Sequence, residues 1–158
     1  MSETQRDNRS LSQIFEQIAQ MLELLGEDRF RVIANDRAAR LIGDASEDMV
    51  AIAGAADGRK QLMAIDGVGA KIADKIIEFA ETGKVEEHQE LLKRVPSGLL
   101  AVLEIPGLGP KTVRAMWQTK QVESLADFKR IIDDGSILEI PRMGAKTALV
   151  THRIETIG

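Results

Sequence analysis

The sequence predicts an all-α protein of about 9–11 short helices arranged in two small subdomains. Three observations predict it. Apolar residues recur at helical spacing, and no alternating pattern persists for five residues. Aromatic residues are only 3% of the chain, with one tryptophan and no tyrosine. Glycine, serine and proline punctuate the apolar runs where helices would stop and start.

The elements follow in order. Leu11, Ile14, Phe15, Ile18, Leu22 and Leu25 share one helical face, with Ser10 and Gln13 as a capping box and Gly26 as the stop. Residues 29–42 predict a second helix with Phe30, Ile33, Ala34, Ala38 and Leu41 inward. Ser46 is placed to cap a short third helix through Met49 and Ile52, and residues 54–58 read as a loop. Residues 62–65 read as a short apolar turn, and helices are expected over about 70–82 and 85–94. Pro96-Ser97-Gly98 breaks the chain. Ser124 caps a helix carrying Leu125, Phe128, Ile131 and Ile132, which Gly135 closes. The expected organisation is a disordered polar tail over 1–9, one helical domain over 10–95 and a second over 96–158.

Composition narrows the chemistry. With 158 residues, 44% hydrophobic and 29% charged, the chain can bury one good core or two small ones. It contains no cysteine, so disulfides, thiol nucleophiles and zinc-cysteine sites are excluded. His88 and His152 show no metal-ligand spacing, and no metal site is expected; His88 follows two glutamates and reads as part of a solvated helix face. No apolar run approaches a membrane span. The expected location is cytoplasmic, with the nucleoid. A net charge of −4 argues mildly against a large non-specific nucleic-acid footprint but leaves room for a local basic face.

The most informative feature is an internal repeat. MAIDGVGAKIADK (63–75), LEIPGLGPKTVRA (103–115) and LEIPRMGAKTALV (138–150) share an isoleucine (Ile65, Ile105, Ile140), a glycine (Gly69, Gly109, Gly144) and a lysine two residues later (Lys71, Lys111, Lys146). Gly67 and Gly107 open the G-x-G of the first two copies; the third has Arg142 there, which puts its tight hairpin in doubt. Val68, Leu108 and Met143 lie between the glycine positions and can plug the turn into a core. Such a unit stops one helix and starts another within a few residues. Its second helix begins with N–H groups that lack intrahelical partners and favour an anion. The lysine adds a full positive charge beside them, and Arg114 reinforces the second copy. A duplex phosphate satisfies these groups without any base being read. The pattern looks like the helix-hairpin-helix motif; the alternative for any single copy is a glycine turn and nothing more.

Ten residues after the shared isoleucine stand Lys75, Ala115 and Val150. If the copies share geometry, Lys75 starts from a partly buried position, and burial disfavours a charged ammonium. A neutral lysine can form a Schiff base with a carbonyl carbon. The alternative is that Lys75 snorkels to solvent beside Asp74 and Glu78.

Four stretches, LSQIFEQIAQMLELLGEDRFRVIANDRAARLI, IDGVGAKIADKIIEFAETGK, PSGLLAVLEIPGLGPKTVRAM and ILEIPRMGAKT, carry a resemblance across most of the chain. It resembles the N-terminal region of bacterial and archaeal family X DNA polymerases, which is similar to the lyase and fingers subdomains of DNA polymerase beta. The resemblance implies that Lys75 matches the Schiff-base nucleophile of 5′-deoxyribose-phosphate lyases, a metal-free reaction of base-excision repair. Lys71 and Arg31 match 5′-phosphate contacts, Gly67 and Gly69 the hairpin on downstream DNA, and Gly107 and Gly109 the hairpin on the primer side. Asn35 stands where the family has a tyrosine, Asp36 is acidic, and Met63 replaces a basic residue, so the 5′-phosphate pocket looks poorer than in the lyases. A palm with three metal-binding aspartates is missing, so this chain is not expected to polymerise DNA without a palm domain in a longer chain.

The expected function is sequence-independent binding of gapped or nicked duplex DNA through phosphate contacts in repair or synthesis. One alternative is lyase chemistry at Lys75. Another is a protein-interaction module using the first-helix region and Trp117 without nucleic acid. No cofactor is expected for the lyase reaction; whether a monovalent cation sits at the hairpin carbonyls stays open.

Overall fold

A computed structural model describes residues 6–140, and the described residues form helices without a strand. The helices are α1 (Asn8–Leu24), α2 (Arg29–Asp44), α3 (Met49–Ala53), α4 (Gly58–Met63), α5 (Ala70–Thr82), α6 (Glu86–Arg94), α7 (Gly98–Leu103), α8 (Pro110–Lys120) and α9 (Leu125–Asp133), followed by a 3-10 turn at Ser136–Glu139. The chain divides into two compact units, one of Met1–Leu22 with Gly26–Lys93, the other of Glu23–Leu25 with Arg94–Gly158. The expected all-α class is what the chain adopts. Most of the third repeat, including Arg142, Met143, Gly144, Lys146 and Val150, lies outside the described residues, as does His152.

In the first unit, the apolar face of α1 buries Leu11, Phe15, Ile18, Met21 and Leu22 completely. The expected cap is displaced. Asp7 Oδ1 accepts from Ser10 N at 2.8 Å, so the helix begins at Asn8 and Ser10 lies inside its first turn. Asn8 ties the start of α1 to that of α3: its Nδ2 donates to Glu47 O (2.7 Å) and its Oδ1 accepts from Met49 N (2.9 Å). The cap of α3 is Asp48, which accepts from Val50 N and Ala51 N, in place of the expected Ser46.

Ala38 is buried as expected, but the inward face of α2 is otherwise turned from the expected one. Val32, Asn35, Ala38, Ala39 and Ile42 are buried, whereas Phe30 is 82% exposed and Ile33 38%. Asp28 caps this helix through Phe30 N, and a buried asparagine inside an apolar stripe hides the true register from a count of apolar residues. The apolar turn expected over 62–65 is the end of a real helix, α4, which seats Leu62 in the core. Helices α3, α4 and α5 pack on one another. The αL conformation of Gly83 (φ 79°) terminates α5, with its N–H bonded to Phe79 O.

The second unit repeats this economy. Leu99 and Val102 of α7, Val113 and Met116 of α8, and Phe128 and Ile131 of α9 form its core with Ile105, Leu108 and Ile137. Helix α7 packs on α8 and α9. Ser124 caps α9 by accepting from Asp127 N, as the sequence predicts, and Gly135 (φ 79°) closes the segment. Trp117 is half-buried.

Candidate nucleic-acid interface

The two described hairpins are built alike, residue for residue. In the first, Ile65 N bonds to Leu62 O at 3.0 Å and Val68 N to Ile65 O at 3.1 Å. In the second, Ile105 N bonds to Val102 O at 3.1 Å and Leu108 N to Ile105 O at 3.2 Å. The opening glycines take the same left-handed backbone, Gly67 at φ 93° and Gly107 at φ 95°, which an L side chain adopts only under strain. Val68 and Leu108 point into the cores of their units, 5% and 6% exposed. Gly69 and Gly109 then serve as N-caps, and the first intrahelical bonds run from Ala73 N to Gly69 O and from Val113 N to Gly109 O.

A glycine N-cap has a consequence. No side chain folds back onto the first turn of α5 or α8. Ser, Thr or Asp at that position would occupy those N–H groups internally; glycine leaves them for an external anion. Lys71 and Lys111 are exposed in these first turns, and no ion pair holds either among the described residues. Arg114, one turn on from Lys111, is half-buried, with its Nε buried and without a hydrogen-bond partner among the described residues.

The repeat also extends further upstream than the shared isoleucine. Gly58 and Gly98 open α4 and α7, each nine residues before the first hairpin glycine. A Cβ on Gly58 would lie 2.6 Å from the carbonyl oxygens of Ile52 and Ala53, and one on Gly98 would lie 2.2 Å from Glu123 O. Both glycines allow the helix before the hairpin to be pressed against backbone.

Lys75 departs from the common pattern, and so does its setting. It is not solvated beside Asp74 and Glu78. Asp74 pairs with Arg59 at 2.9 Å, and Glu78 accepts from Glu86 N at 2.8 Å. The Lys75 side chain is 18% exposed, with Nζ 2.5 Å from Glu87 Oε2, 3.1 Å from Asn35 Oδ1 and 6.0 Å from the centre of the Phe15 ring. Arg31 Nη2 reaches the other Glu87 oxygen at 2.5 Å and lies near Glu27 as well. Asn35, which stands where a tyrosine was expected, is fixed by its Nδ2 bond to Arg31 O at 2.8 Å. Burial pushes the Glu87 carboxyl up, but the hydrogen bonds and charges of Lys75 and Arg31 outweigh it. The net shift is downward from the ordinary 4.5.

His88, expected on a solvated face, is buried, 8% exposed, with Nε2 2.7 Å from Gln17 Oε1; burial lowers its pKa. Among the described residues no group of three or more His, Asp or Glu converges as a metal site, and no helix is long and apolar enough to cross a membrane.

Two tight glycine hairpins with open helix starts, each followed by a lysine, define a class. Residues 6–85, which are 80 of the 158, match the family described as "Helix-hairpin-helix domain", and residues 99–149 match the "SAM-like Helix-hairpin-helix tandem". The chain belongs to the helix-hairpin-helix family. It is also similar to the N-terminal part of the DNA polymerase/3′-5′ exonuclease PolX of Bacillus subtilis (strain 168), a family X polymerase, at 26% identity over 139 residues. That match covers 88% of this chain and 23% of the relative, so the chain spans under a quarter of the relative's length.

Proposed function

We propose that this chain binds DNA through its hairpins without reading sequence, as the front end of a longer family X polymerase, and that gapped or nicked duplex is its preferred form. The observation that carries this reading is the pair of matched hairpins. Each presents uncapped helix N–H groups together with an exposed lysine, Lys71 or Lys111. Two such sites grip two stretches of phosphate backbone, and Arg114 adds charge to the second. Gly144 and Lys146 extend the same chemistry to the third copy. The net charge of −4 confines the attraction to these local sites. The similarity to PolX supports a polymerase context.

Binding to intact, nicked and gapped duplexes across a range of salt tests the reading. The expected result is salt-sensitive, sequence-independent binding that is tightest on the gapped form. Equal, salt-insensitive affinity for all three would contradict it.

A second reading, 5′-deoxyribose-phosphate lyase chemistry with Lys75 as nucleophile, draws on the convergence of Arg31 and the largely buried Lys75 in one place. It requires Lys75 Nζ to leave Glu87. Borohydride trapping on an incised abasic duplex tests it; no adduct, or one that survives Lys75→Ala, would remove Lys75 from that role.

A further inference from the structure

We infer that Glu87 is the internal occupant of an anion pocket formed by Arg31 and Lys75, and that its carboxylate decides whether this pocket takes a phosphate monoester carrying an aldehyde. The geometry is that of an occupied site. Each Glu87 oxygen faces a different cation at 2.5 Å, Oε1 towards Arg31 and Oε2 towards Lys75. An ion pair to Lys75 and a charge-assisted hydrogen bond from Arg31 converge here as a terminal phosphate would require. Among the described residues, Lys75 Nζ meets three groups that accept from an ammonium: the Glu87 carboxylate, the Asn35 carbonyl oxygen and the face of Phe15. Its amine therefore serves as a donor here, and these contacts must be given up before it can attack an incoming carbonyl. Asn35 cannot substitute for the carboxylate, because its amide is neutral and its one oxygen already accepts from Lys75.

Glu87 stands in the first turn of α6, next to exposed Glu86. Removing the Glu87 charge takes the 2.5 Å partner from both cations at once and leaves Arg31 with Glu27 at 4.0 Å, while removing that of Glu86 changes the net charge equally and opens nothing. The pair Glu87→Gln and Glu86→Gln therefore separates occupancy from charge. The inference deepens the second reading above by naming what controls that pocket. Its test contains no DNA, so the outcome does not depend on whether the hairpins bind DNA.

The probe is pyridoxal 5′-phosphate, an aldehyde with a phosphate monoester. In its neutral form the lysine Nζ attacks the aldehyde carbon, the carbonyl oxygen leaves as water, and borohydride delivers hydride to the resulting imine carbon. The intact 158-residue chain is labelled, reduced and mapped by mass spectrometry, with exposed Lys71 as the internal reference. In the unsubstituted protein, labelling of Lys75 is expected to lag Lys71 by on the order of tenfold. In Glu87→Gln it is expected to rise by a similar factor, and more with pyridoxal 5′-phosphate than with pyridoxal, because Arg31 has then lost its 2.5 Å carboxylate partner and can turn to the phosphate. Glu86→Gln is expected to leave Lys75 unchanged. Three results would each overturn the inference: Lys75 labelled as readily as Lys71 in the unsubstituted protein, no gain in Glu87→Gln, or an equal gain in Glu86→Gln. Should Glu87→Gln not fold, the unsubstituted protein alone decides, through the ratio of Lys75 to Lys71.

Discussion

The two described hairpins have nearly one backbone and two different neighbours. Gly67 and Gly107 differ by two degrees in φ, and the plugging residues Val68 and Leu108 are buried alike. Beyond the shared lysine they diverge. The α8 helix continues with Ala115, whereas α5 continues with Lys75, and a carboxylate from α6 has come to meet it. The common part is a local solution to turning one helix onto another while leaving N–H groups for an anion. The particular part depends on which element packs next to it. Substitutions should therefore sort by whether they touch the shared frame or the private pocket.

The largest effects should come from the glycines at the start of α4 and α7. Gly98→Ala drives a Cβ onto Glu123 O, and Gly58→Ala drives one onto two carbonyls. Neither backbone can give way cheaply, so each substitution should cost about 2–3 kcal/mol, Gly98→Ala the more. Urea denaturation of the two variants checks this. A loss under about 0.5 kcal/mol for both would mean that the close approach is not a constraint.

Lys75 comes next. Lys75→Ala leaves Glu87 half-buried with Arg31 as its remaining strong partner, and should cost about 2 kcal/mol. The exposed Lys71→Ala should stay within about 0.5 kcal/mol. Equal thermal stability of the two variants would show that the pocket contributes nothing to the fold.

The hairpin glycines are subtler. Ala at either position must adopt φ above 90°, at a cost of about 1–2 kcal/mol. Gly67→Ala should be the worse of the two. Its Cβ would lie 3.2 Å from Leu41 Cδ1, whereas nothing lies within 4 Å at Gly107. Parallel melts of the two variants would reveal a reversed order if the Leu41 contact did not matter.

How much of this was legible in the sequence follows the same division. The hairpins were, because glycine, a buried plug and lysine recur at fixed spacing and their geometry is local. The α5 boundaries were as well, since Ala70 and Thr82 lie directly between Gly69 and Gly83. The register of α2 was not. Phe30 and Ile33 look like core residues, and the chain instead buries Asn35, whose polar atoms are satisfied by Arg31 O and Lys75. The resemblance assigned Arg31 and Lys75 to one pocket, but Glu87 had no sequence signal, because it meets them only through tertiary packing. The Gly58 and Gly98 correspondence was available as a nine-residue spacing but needed the helix starts to give it meaning.

The smallest expected effect is a pH dependence private to the first unit. Burial lowers the His88 pKa below its ordinary 6.5, so below that pH the unfolded chain binds a proton that the folded one resists. Stability should therefore fall as pH drops below 6.5, and His88→Gln should flatten that part of the profile. An unchanged slope in the variant would assign the dependence to other groups.

If the shared frame holds phosphate, Lys71 and Lys111 carry the salt dependence of binding. This is tested most directly by the salt dependence of gapped-duplex binding for the unsubstituted chain and the Lys71→Ala/Lys111→Ala variant. Weaker binding by the variant is expected, with a plot of log affinity against log salt that is shallower by about 2, roughly one per lysine. Equal affinities and equal slopes would contradict it.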